Sequence, residues 1–117
     1  MKFYKRLYIG EKIKYPDLVK WKLRHHAGQP TVWCVTLPEQ ADMPEILHSM
    51  YLCSRYYREN PPLIIGIAGS RDDAFELVRM IVEEAVRADG DPNVRKFLFP
   101  HGVRVRRSGS TAEREDA

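Results

Sequence analysis

Cysteine is scarce in this chain of 117 residues: only Cys34 and Cys53 are present, with no C-x-x-C spacing. Two such residues make no disulfide framework and fit a reducing cytosol better than secretion. Long apolar runs are missing as well. The longest, residues 63–69, falls far below the roughly 18 residues that a membrane-spanning helix needs. Residues 1–10 contain no apolar stretch of signal-peptide length, so a cytoplasmic protein without membrane contact is expected. Glycine-rich fingerprints are incomplete. Gly66-x-x-Gly69-Ser70 lacks the third glycine of a dinucleotide site and the lysine of a P-loop. Ser70 is followed by Arg71 and Asp72, so the Gly-x-Ser-x-Gly nucleophile elbow is absent. His25, His26, His48 and His101 stand at no spacing that points to a base for Ser70, or to a metal shared with Cys34 and Cys53. No catalytic residue, metal site or cofactor is assigned.

What is present is an uneven distribution of charge around a net value of +3. Residues 1–26 carry Lys2, Lys5, Arg6, Lys12, Lys14, Lys20, Lys22 and Arg24 against only Glu11 and Asp17. Arg104, Arg106 and Arg107 form a second basic cluster, while residues 39–91 are acidic on balance. Such asymmetry suits a surface for anions or nucleic acid, and also an ordinary solvated face.

Residues 3–9 alternate as a strand, with Phe3, Leu7 and Ile9 on the side of Lys5, and Tyr4, Arg6 and Tyr8 on the other. A side of tyrosine and arginine suggests a sheet edge. Residues 15–26 fit both a helical stripe (Tyr15, Leu18, Val19, Lys22, Leu23) and a strand alternation (Val19, Trp21, Leu23). Their length, Pro16 in a first turn and Gly28 as a stop favour the helix. Residues 31–37, bounded by Pro30 and Pro38, read as a strand buried on both faces. Asp42-Met43-Pro44-Glu45 has the form of a helix start, and Asn60-Pro61-Pro62 of a stop. A helix between them would place Met43, Ile46, Leu47, Met50, Ser54 and Tyr57 on one face. Residues 63–68 read as a buried strand. A helix from Ser70 follows, with Ser70-x-x-Asp73 as capping box and Ala74, Leu77, Val78, Ile81, Ala85 and Ala88 as core stripe. Residues 94–99 read as a short last strand, and residues 108–117 as a disordered tail.

The expectation is therefore one α/β domain over residues 1–100, followed by a basic and then polar tail over 101–117. Its order is strand, helix, strand, helix, strand, helix and a last strand, giving a small, mostly parallel sheet of three or four strands flanked by about three helices. Parallel strands would gather residues 10–14, 38–42 and 69–71 on one rim. There the N–H groups of Gly69, Ser70 and Arg71, with Lys12 or Lys14, suit a small anionic ligand. Asp72 and Asp73 oppose that reading, because they already place negative charge at the helix start. On the second helix, Leu52 and Tyr56 fall opposite the core stripe, among Glu45, His48 and Glu59. An apolar pair on a polar face fits self-association. Strand pairing at the Tyr4 and Tyr8 edge offers a second route. Tyr4, Tyr8, Tyr15 and Trp21, interleaved with lysine and arginine, match the stacking-plus-charge pattern of nucleic-acid binding, without an RRM, KH or zinc-finger motif.

Segments 47–57, Leu63-Ile64-Ile65-Gly66-Ile67-Ala68 and Ala74-x-Glu76-Leu77-Val78 resemble a group of small uncharacterised bacterial proteins. In these, a V-G-I-A strand leads into an E-A-x-E-L-V helix. The resemblance spans roughly residues 3–99, implies the same α/β domain and transfers no activity or site residue. The sequence thus favours a non-catalytic binding or accessory module that self-associates. The alternatives are an anionic-ligand binder or enzyme at Gly69-Ser70-Arg71, and a nucleic-acid binder using the basic first third with Lys20, Lys22 and Arg24.

Overall fold

The computed structural model describes residues 1–100, so the expected tail and its arginines lie outside the described residues. Four strands form one sheet: β1 (Lys2–Ile9), β2 (Trp33–Leu37), β3 (Glu45–His48) and β4 (Leu63–Ala68), in the order β1-β4-β2-β3. Four α-helices accompany them: α1 (Pro16–Arg24), α2 (Arg55–Glu59), α3 (Arg71–Asp89) and α4 (Val94–Leu98). A 3-10 turn, Ser49–Cys53, links β3 to the segment before α2.

β4 is apolar along its length because it lies inside the sheet with a hydrophobic layer on each face. One layer packs α3 and α4 on Val35, Leu37, Ile65 and Ala68. The other gathers Phe3, Val19, Leu23, Cys34, Leu52, Ile64 and Ile67 beneath α1 and the 3-10 turn. β1 is an edge strand, as its composition suggests. Tyr4 and Tyr8 turn toward the first layer, and Leu7 toward the second.

The expected parallel sheet is corrected by the pairing. β1 and β4 are parallel, but β2 is antiparallel to both β4 and β3. The cause is residues 42–59, which do not form one helix. Glu45–His48 is a strand, with Ile46 opposite Val35 and Leu47 opposite Cys34. These adjacent apolar residues serve the two opposite layers, as a period of two requires and a helical stripe does not. A second correction falls at residues 94–99, a helix rather than a strand. Asn93 caps it by accepting from the Lys96 N–H at 2.9 Å, which outweighs the β-propensity of Val94 and Phe97. Arg95 then clamps the β2–β3 loop, donating to the Pro38 and Ala41 carbonyls at 2.6 Å each.

α3 forms where the pattern places it. Ser70 Oγ accepts from the Asp73 N–H at 3.0 Å, Gly90 closes the far end at φ 70°, and Ala74, Leu77, Ile81 and Ala85 are buried. The ambiguous segment 15–26 is a helix, with Val19 and Leu23 as its buried residues.

A cationic cleft beside the first helix

Because β1 and β4 run parallel, their carboxyl ends share one edge of the sheet, and β2 starts there. The chain leaves β1 through Gly10 and leaves β4 through Gly69, and Asp73 joins the two exits. Its carboxylate is buried, with 8% of the residue exposed. It accepts from the Gly69 N–H at 3.0 Å, the Lys12 N–H at 3.2 Å and the Glu11 N–H at 3.2 Å. A β-carbon at Gly69 would lie 2.8 Å from the Lys12 carbonyl oxygen, so only glycine permits this approach.

At the start of α3, where the anion site is expected, the Gly69 N–H already has a partner. The carboxylate that the Gly69 N–H binds is the protein's own. Ser70 is occupied as the helix cap, and the Arg71 guanidinium stacks over the Phe75 ring at 5.2 Å. The capping box is only half of the expected form: Asp73 reaches to neighbouring loops rather than back to the Ser70 N–H.

The same fold opens a cleft one step away, with a volume of about 360 Å³. The 10–15 loop, the first turns of α1, the 28–32 loop and Gly69 form its walls. Three lysines line it, Lys12, Lys14 and Lys22, together with Tyr15, Leu18 and Gln29. Neither Asp nor Glu lines it, and among the described residues none of these ammonium groups has a carboxylate partner. Tyr15, the N-cap residue of α1, makes no side-chain cap hydrogen bond. Gln29 braces the opposite wall. Its Nε2 donates to the Val19 carbonyl at 3.3 Å, and its own backbone carbonyl accepts from Ser49 Oγ at 2.6 Å.

Of the residues expected at an anion site, the structure brings Lys12, Lys14 and Gly69 together and leaves Ser70 and Arg71 outside the lining. Glu39 and Gln40 lie at the opposite sheet edge, because β2 runs antiparallel. Sequence reasoning missed Lys22 and the 28–32 loop as parts of the site. The available signal was Lys22 itself, a cation standing within the apolar stripe of α1.

The expected interface residues are also rearranged. Leu52 is 2% exposed inside the second layer, whereas Tyr56 is 64% exposed. They form no exposed pair, because the 3-10 turn replaces the helix that would have aligned them. Tyr4 and Tyr8 stack on each other at 6.5 Å, and Tyr8 donates to Glu84 at 2.8 Å. Burial and the Glu84 carboxylate push the Tyr8 phenol well above its ordinary range, and burial raises Tyr4. The Cys34 thiol is pushed up to about 12 by burial, while Cys53 donates to the His26 carbonyl at 3.4 Å. No group of three His, Cys, Asp or Glu residues suited to a metal occurs among the described residues. No helix among them is long and apolar enough to cross a membrane.

The molecule is thus an α/β domain with a mixed four-stranded sheet and a lysine-lined cleft at one sheet edge. No family model matches the chain, no curated protein matches it, and no solved structure matches it.

Proposed function

We propose that this domain is a non-catalytic binding module for an anionic ligand, taken up in the cleft beside α1. The observation that carries this reading is the convergence of Lys12, Lys14 and Lys22 on one concave surface without a carboxylate in its lining. Like charges gathered in this way repel one another. An anion bound among them removes that repulsion and gains charge-assisted hydrogen bonds. The lining contains no thiol, which favours binding over thiol chemistry.

Isothermal titration of the full chain with inorganic pyrophosphate at low salt tests the proposal. Saturable binding is expected, weakened tenfold or more by Lys14→Gln combined with Lys22→Gln, with the circular dichroism unchanged. Pyrophosphate at 100 times its dissociation constant adds about 2.7 kcal/mol, several degrees in Tm for a domain of this size. A titration with no heat and no Tm shift refutes it, and so does binding indifferent to both lysines.

Self-association is a second reading, favoured by the exposure of Tyr51 and Tyr56 on neighbouring turns of the chain. Aromatic side chains left in water are common at contacts between copies. Sedimentation of the full chain is expected to show a dimer that Tyr51→Ser with Tyr56→Ser converts to monomer. A monomer at all concentrations removes this reading.

A further inference from the structure

The outer side of α1 carries apolar residues where a surface helix normally carries polar ones. Val19 and Leu23 satisfy the core. Tyr15, Leu18 and Trp21 are nevertheless 69%, 48% and 54% exposed, at successive spacings of three residues. Tyr15 and Leu18 also line the lysine cleft, and Trp21 follows on α1 just beyond its lining.

Trp21 is held as a platform. Its indole stacks on His25 at 4.2 Å, and His25 Nδ1 lies 2.8 Å from the Trp21 carbonyl oxygen, which ties the supporting imidazole to the helix. Tyr15 and Trp21 lie about 9 Å apart along the axis at 1.5 Å per residue, a separation that serves two bases rather than one.

We infer that the anion this cleft takes is a phosphate of a single-stranded nucleic acid, whose bases stack on Tyr15 and Trp21. The inference rests on the anion-binding reading above. Lysines lining a cleft beside exposed aromatic faces match the two requirements of a single strand: charge along its backbone and stacking surfaces for its bases. A duplex is disfavoured, because pairing and stacking hide the base faces that these rings would contact. Of the acidic residues in segment 1–26, Glu11 and Asp17, neither lines the cleft. An acidic protein segment would satisfy the same lysines, and it is the competing outcome of the test.

The test is fluorescence anisotropy of a labelled single-stranded 12-nucleotide oligothymidylate with the full chain, beside pyrophosphate titration and a poly-glutamate competitor. Saturable binding is expected, with the logarithm of the affinity falling linearly in log salt. Trp21 stands outside the cleft lining, so Trp21→Ala is expected to weaken the oligonucleotide roughly tenfold and leave pyrophosphate affinity unchanged. Lys14→Gln with Lys22→Gln is expected to weaken both ligands and to lower the salt slope by roughly 0.7 for each phosphate that the variant no longer neutralises. Pyrophosphate binding without oligonucleotide binding overturns the inference and leaves the anion reading standing. Failure to bind either ligand overturns both. Oligonucleotide binding indifferent to Trp21→Ala, or to the lysine pair, overturns the inference. So does poly-glutamate binding tighter than the oligonucleotide.

Discussion

The Asp73 carboxylate occupies the space that a side chain at Gly10 would need: a β-carbon there would lie 2.7 Å from Asp73 Cγ. The two residues are far apart in sequence, and together they weld the exit of β1 to the start of α3. With the Gly69, Lys12 and Glu11 N–H groups all directed at one carboxylate, Asp73→Ala leaves three backbone donors without their partner. A loss of about 2–4 kcal/mol is expected. Gly10→Ala is expected to destabilise in the wild-type background and distinctly less in the Asp73→Ala background, where the space is vacant. A urea-denaturation cycle over the four proteins measures that coupling.

Leu52 and Tyr56 are expected to separate cleanly in stability. Leu52→Ala removes a buried side chain from the second hydrophobic layer and costs about 2–4 kcal/mol. Tyr56→Ala acts at an exposed position and changes stability by about 0.5 kcal/mol or less. Midpoints of chemical denaturation distinguish them. Equal costs would restore the helix in which both residues stand on one exposed face.

The Tyr8–Glu84 hydrogen bond sets an alkaline limit. The folded phenol holds its proton more tightly than the unfolded one, whose ordinary value is 10.0. Its contribution is therefore complete below about pH 10 and is lost as pH rises beyond that value, because the unfolded chain releases the proton first. Tyr4 and Cys34, both raised by burial, add to the same alkaline loss. Tyr8→Phe is expected to cost about 1 kcal/mol at pH 8 and to flatten the fall in stability between pH 9 and about 11. Denaturation at those pH values checks the slope.

The thiols are expected to differ in reactivity. Cys34 is buried and its thiol is held protonated, whereas Cys53 is partly exposed. Under native conditions iodoacetamide should modify Cys53 while Cys34 reacts only after unfolding. Mass spectrometry of the labelled peptides reads both sites, and rapid native labelling of Cys34 would contradict its place between the sheet and α1.

Some of this architecture is local and was legible in the chain. Strand β4 and helix α3 follow from an uninterrupted apolar run and a 3.6-residue stripe with Ser70 and Gly90 at its ends. The edge character of β1 follows from the side that Tyr4, Arg6 and Tyr8 share. Residues 42–59 were misleading for a physical reason. Asp42, Pro44 and Glu45 mimic a helix start, while Ile46 and Leu47 satisfy a helical stripe and a two-faced strand equally well. Pairing with β2 chose the strand, since each of these residues then meets a different core layer.

The candidate site divides along the same line. The lysines, the aromatic residues and the basic character of residues 1–26 are properties of the sequence, because charge and ring chemistry do not depend on the fold. Which cations meet was a tertiary outcome. Lys12 and Lys14 reach Lys22 only because a parallel β1–β4 pair, an antiparallel β2 and the Asp73 tether bring the 10–15 loop, α1 and the 28–32 loop to one sheet edge. The local pattern offered the start of α3 as an alternative place for an anion, against the charge of Asp72 and Asp73. Long-range backbone hydrogen bonds to Asp73 filled that place with the protein's own carboxylate, and left the neighbouring cleft as the open cationic surface.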